Sequence, residues 1–144
     1  MSLQGQKRSY AIPHTGLLKA RLLCDGGYFA QADSIIRSID PDLLDQTAYQ
    51  LEYHYRKGRI FQLTGKANPA IDEYNLAFFE GRSLPFTFAT RSALQLGIIY
   101  EEMKNYSLAL QWYNSCLETY RSFHTAEGVE QTAEKGRDRM KKKV

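Results

Sequence analysis

The sequence predicts an all-α fold, a stack of three antiparallel helix hairpins closed by a C-terminal helix. Three observations predict it. Small and apolar residues recur at helical spacing, as in Ala93, Leu96, Gly97 and Tyr100 at i, i+3, i+4 and i+7. A second stripe, Ala109, Tyr113, Cys116 and Leu117, follows after a turn at Lys104-Asn105 that is too short for anything but an antiparallel pair. The pattern also recurs upstream. Gly58, Phe61, Gly65, Ala70, Tyr74 and Ala77 repeat it, and Ala20, Leu23, Gly27, Phe29, Ala32, Ile36 and Ile39 form a more degenerate copy. Ala32, Ala70 and Ala109 are spaced 38 and 39 residues apart.

Taken in order, residues 1–12 are polar, and a poorly ordered terminus or the remnant of an expression tag is expected there. The first unit covers about 13–40. Its first helix starts near Pro13 to Thr15 and runs to Cys24, Asp25-Gly26-Gly27 turns the chain, and a second helix runs from Tyr28 to about Ile39. Asp40-Pro41-Asp42 reads as a break and a cap, because Pro disfavours helix in its predecessor and Asp42 can accept N–H bonds. The second unit, about 43–82, opens with a long helix over 43–63. Its inward stripe should hold Ala48, Leu51, His54 or Tyr55, Gly58 and Phe61. Gly65 suits a helix end and Pro69 the first turn of the next helix, which should end at Gly81. The third unit, about 86–123, follows Leu84-Pro85 with helices over 86–103 and 106–123. In residues 125–144 only Ala126, Val129, Ala133 and Met140 form a thin apolar stripe, as expected of a helix that closes a stack on one face and meets water on the other.

Packing explains the choice of residues. Gly97 and Ala109 sit where two backbones approach, and Tyr100 and Tyr113 fill the flanking space, since interiors tolerate few voids. Gly97, Tyr100, Tyr106, Ala109, Tyr113 and Cys116 in this arrangement resemble the tetratricopeptide repeat family, and the two upstream copies follow the same order. Lys104 stands at the turn where the family has Gly, and Ala93 where it has an aromatic. The usual unit is about 34 residues, so the resemblance is to a long-period variant. It implies a right-handed α-solenoid in which the first helix of each hairpin lines a concave groove that binds a peptide or partner protein.

The family's groove-facing positions fall on His14, Leu17, Arg21 and Cys24, then on Glu52, Tyr55, Arg59 and Gln62, then on Arg91, Leu94, Ile98 and Glu101. The candidate binding residues are therefore Leu17, Arg21, Tyr55, Arg59, Gln62, Arg91, Leu94, Ile98 and Glu101. Arg21, Arg59 and Arg91 supply one guanidinium per unit, suited to bidentate pairing with a carboxylate. The alternative is that these arginines are solvated or pair with Glu52 and Glu101. The family's chaperone-tail clamp has Lys, Asn and Arg where this chain has Leu17, Arg21 and Gln95, which argues against that particular ligand.

Composition narrows the remaining classes. With 144 residues, 43% of them hydrophobic, one domain with a substantial core is expected. The 10 Tyr and 7 Phe fall mostly at repeat positions and are first of all core. Cys24 and Cys116 have neither metal nor redox spacing, and His14, His54 and His124 lie on different helices. Gly26-Gly27 lacks the rest of a phosphate loop, no serine sits in a Gly-x-Ser-x-Gly elbow, and Glu101-Glu102 diverge around their helix. No enzyme activity, cofactor or metal is expected. Residues 125–144 carry six bases against four acids, so most of the net charge of +3 lies in the tail and no nucleic acid is expected as partner. No apolar run reaches a membrane span, and residues 1–8 have no signal-peptide hydrophobic region, which leaves the compartment open. A protein-binding scaffold or adaptor is the first reading. The second is a structural or oligomerisation module, such as a homodimer, docking through the uncapped first hairpin.

Overall fold

A computed structural model describes residues 13–124 and 126–144. The expectation for residues 1–12 lies outside them. The described residues form helices α1 (Thr15–Asp25), α2 (Phe29–Ser38), α3 (Thr47–Leu63), α4 (Ala67–Gly81), α5 (Thr87–Glu102), α6 (Tyr106–Phe123) and α7 (Val129–Lys141), with a 3-10 turn at Pro41–Leu43. The fold is all-α. Helices α1/α2, α3/α4 and α5/α6 form three sequential hairpins, and α7 closes the stack against α5 and α6.

The hairpin turns are chemically alike. After α1 and α3 the chain passes through Gly27 (φ 85°) and Gly65 (φ 80°), left-handed conformations that cost glycine nothing. The next amides then fold back: Tyr28 N donates to Leu23 O at 2.8 Å and Lys66 N to Phe61 O at 2.8 Å, satisfying carbonyls at the helix ends. After α5 the same bond runs from Asn105 N to Tyr100 O at 2.9 Å, but the left-handed residue is Lys104 (φ 61°). A side chain there is strained by about 1–2 kcal/mol. Lys104→Gly should therefore raise stability by about 1 kcal/mol in urea unfolding. No gain would mean that this turn relaxes.

The connection between α2 and α3 departs from the sequence expectation. Helix α3 starts at Thr47 rather than at 43, and Asp40, not Asp42, supplies the capping carboxylate by accepting from Asp42 N at 3.0 Å. Pro41 starts the 3-10 turn, Leu44 tucks into the core of the first hairpin, and Gln50 Nε2 holds Leu44 O at 2.8 Å. Helix α3 also buries more than one stripe. Leu51, Tyr53, Tyr55, Gly58 and Ile60 are buried, whereas Ala48, His54 and Phe61 are only half-buried. It is gripped on one side by the first hairpin and on the other by α4 and α5, so a single inward face does not describe it.

One contact recurs in consecutive hairpins. A Cβ placed on Gly58 would lie 2.6 Å from the Tyr74 ring, and one on Gly97 would lie 2.8 Å from the Tyr113 ring. Both rings are fully buried. Each hydroxyl donates to the residue twelve positions before it, Tyr74 to Gln62 Oε1 and Tyr113 to Glu101 Oε1, at 2.6 Å in both cases. Burial pushes both phenols well above the usual tyrosine range, and for Tyr113 the Glu101 carboxylate adds to this. The first hairpin has Ala20 and Ile36 in these places, so it has no hydroxyl to place.

Helix α7 buries Val129, Ala133 and Met140, with Ala126 just before it, and leaves its charged face to water. Gly136 is a further small contact: a Cβ there would sit 2.5 Å from the Tyr113 ring, which is therefore clasped between α5 and α7. Arg139 adds a two-pronged bond to Glu101, Nε to Oε2 at 3.0 Å and Nη2 to Oε1 at 2.9 Å. That bond, seconded by the Tyr113 hydroxyl, holds the Glu101 carboxyl below its ordinary range despite partial burial. Cys116 packs in the same core, and burial pushes its thiol up to about 12, so it serves as a small apolar group.

Candidate peptide-binding groove

The first helices of the hairpins, α1, α3 and α5, share one open groove of about 780 Å³. Helix α1 lines it with Leu18, Arg21 and Asp25. Helix α3 contributes Tyr49, Glu52, Tyr55, Arg56 and Arg59, and α5 with its preceding loop contributes Phe86, Phe88, Arg91 and Gln95. Four of the candidate residues, Arg21, Tyr55, Arg59 and Arg91, meet here, and Gln62 borders them through hydrogen bonds to Arg59 and Gln95.

Four candidates lie elsewhere. Leu17 is fully buried in the first hairpin, and Leu18, one position on, faces the groove instead. Leu94 is buried and Ile98 half-buried in the core that α5 shares with α6 and α7. Glu101 is taken by Tyr113 and Arg139. The physical reason is that α7 packs on α5, where Arg139 takes Glu101, and that Leu94 and Ile98 join the core that α5 shares with α6 and α7. Sequence register assigns faces to α5 but does not name the helix that covers them. Tyr49, Phe86 and Phe88 line the site although the register does not mark them as binding residues, and Gln95, at the clamp position where the family has Arg, lines it too. The aromatic positions after Leu84-Pro85 are the available signal for Phe86 and Phe88.

The groove has an apolar floor and a cationic rim. Tyr55 is buried between Tyr74 and Phe88, with ring centroids 5.9 and 5.8 Å away. Arg59 is steered by amides: its Nη1 donates to Gln62 Oε1 at 3.2 Å and to Gln95 Oε1 at 3.3 Å. Gln62 Nε2 donates to Gln95 Oε1 at 3.0 Å, and Tyr74 anchors Gln62. Arg91 Nε donates to Thr87 Oγ1 at 2.8 Å. Arg21 is exposed and forms no ion pair among the described residues. Glu52 binds Arg56 (3.0 Å) and Glu101 binds Arg139. Of the four arginines that line the groove, Arg56 is paired with Glu52, and Arg21, Arg59 and Arg91 form no ion pair among the described residues.

The histidines have local partners. His14 caps α1 by accepting from Leu17 N at 3.3 Å, His54 Nδ1 lies 3.0 Å from Glu73, and His124 stacks edge-on to Tyr120. Among the described residues no group of His, Cys, Asp and Glu could hold a metal, and no helix is long and apolar enough to cross a membrane.

Sequential hairpins whose first helices line a shared groove define a helical-repeat module of the kind used for protein interaction. Residues 90–123, the greater part of the α5–α6 hairpin, match the family model described as tetratricopeptide repeat. The matched stretch has the length of one ordinary unit, about 34 residues. No curated protein and no solved structure matches the chain.

Proposed function

We propose that this protein-interaction module binds an acidic peptide segment in the groove between α1, α3 and α5. The observation that carries this reading is the set of three guanidinium groups, on Arg21, Arg59 and Arg91, none of them matched by a carboxylate among the described residues. Arg59 is already oriented by Gln62 and Gln95, so less freedom is lost when a carboxylate docks. Tyr55 and Phe88 offer apolar contact beside the charges.

The test is fluorescence anisotropy with a panel of labelled acidic peptides against wild type and the double variant Arg59→Ala/Arg91→Ala. Hydrogen bonds to charged groups are worth about 1.5–3 kcal/mol each. The double variant should therefore bind at least about a hundredfold more weakly while melting as wild type does. Affinity should also fall as salt is raised. A double variant that binds the best peptide as tightly as wild type would overturn the groove assignment.

A further inference from the structure

The junctions between successive hairpins are not built alike. Where α5 meets the second hairpin, Ile71 and Tyr74 of α4 pack with Leu96 and Ile99 of α5 into closed core. At the corresponding positions of the preceding junction, Asp33 stands in place of Ile71 and Lys57 in place of Leu96, while Ile36 and Ile60 keep the places of Tyr74 and Ile99. The result is a cleft of about 470 Å³ between α2 and α3. Its floor is Phe29, Ile36, Tyr53, Ile60 and Phe61, with Ala30 at its edge. That volume lies in the usual range for small-molecule sites, about 300–1,000 Å³.

The charges at the cleft do not cancel. Asp33 is held by Arg37 on its own helix. Lys57 lies over the Tyr53 ring and pairs with Glu73 at 3.6 Å, whereas Lys66, exposed at the start of α4, forms no ion pair among the described residues. An apolar cavity with a spare ammonium group, that of Lys66, at its mouth suits a molecule with an apolar body and one anionic head. We propose that the α2–α3 cleft is a binding site for a small apolar carboxylate, such as a medium-chain alkanoate. This site is separate from the arginine groove, and neither reading needs the other.

Decanoate, with decanol as the neutral analogue, is titrated into the protein and followed by amide chemical shifts and calorimetry. Decanoate should saturate the protein, with the shifts centred on α2 and α3, and decanol should bind at least tenfold more weakly. Ala30→Trp, an exposed position with room to cover the cleft, should abolish binding, and Lys66→Glu should weaken it about tenfold, as expected for one lost charge-assisted contact. Arg59→Ala/Arg91→Ala should leave decanoate binding unchanged, which separates this site from the groove. Melting curves check that each variant folds. The assignment is overturned by absence of saturable decanoate binding, by full binding in Ala30→Trp, or by equal affinity for decanol, which would mark a merely apolar surface.

Discussion

Tyr113→Ala is expected to cost about 4 kcal/mol, within the range for removing a large buried aromatic ring. That corresponds to a fall of about 10–15 °C in melting temperature for a chain of this length. The ring is fully buried, and it joins three helices: it lies on Gly97 of α5, on Gly136 of α7, and it belongs to α6. Alanine would leave a void that none of the three can close without moving. Tyr113→Phe separates the two contributions, because it keeps the ring and loses only the 2.6 Å bond to Glu101. Glu101 still has Arg139, so the phenylalanine variant should cost about 1–2 kcal/mol. Urea unfolding of the pair checks both values. An alanine variant within about 1 kcal/mol of wild type would show that the ring does not hold the third hairpin to α7.

The second large effect comes from filling the space rather than emptying it. Gly58→Leu and Gly97→Leu should each lower stability by about 3 kcal/mol or more, because overpacking of a tight contact forces backbone shifts. The two costs should be similar, since the introduced Cβ atoms would lie 2.6 and 2.8 Å from equivalent tyrosine rings. Leucine's better helix propensity would return only about 1 kcal/mol. If Gly97→Leu melts cooperatively at the wild-type temperature, the close approach of α5 to α6 is wrong.

Much of this is legible in the sequence because the code for it is local. The alanine and glycine slots, the aromatic positions and the turn glycines set which face of each helix is buried, and Ala70, Ala77, Ala93 and Ala109 are fully buried. The apolar stripe of the C-terminal stretch reads the same way, and Ala126, Val129, Ala133 and Met140 are all buried. Gly136 is not legible. A lone glycine in a charged segment has no periodic partner in sequence, and its role emerges only once the Tyr113 ring is in place. The start of α3 falls later than the sequence suggests because Asp40 caps a separate 3-10 turn at Pro41–Leu43, after which Leu44 is buried in the first hairpin's core before the helix begins at Thr47.

The binding residues are less legible for a different reason. A register names the outward face of a helix but not what the next element covers. Leu94, Ile98 and Glu101 point to the groove when α5 is read alone, and α7 claims that face. Gln62 becomes a support for Arg59, and Leu17 gives way to Leu18 where α1 begins its degenerate unit. The α2–α3 cleft is invisible in sequence because Asp33 and Lys57 look like ordinary surface residues until they are set beside Ile71 and Leu96.

The most direct measurement is the proton NMR spectrum of the three packing glycines. If glycine backbones lie against tyrosine rings, the α-protons of Gly58, Gly97 and Gly136 are shifted upfield by ring currents. Nuclear Overhauser contacts then run from Gly58 to the Tyr74 ring, and from both Gly97 and Gly136 to the Tyr113 ring. Glycine α-protons at random-coil positions, with no contact to either ring, would contradict the stacked-hairpin packing on which the groove depends.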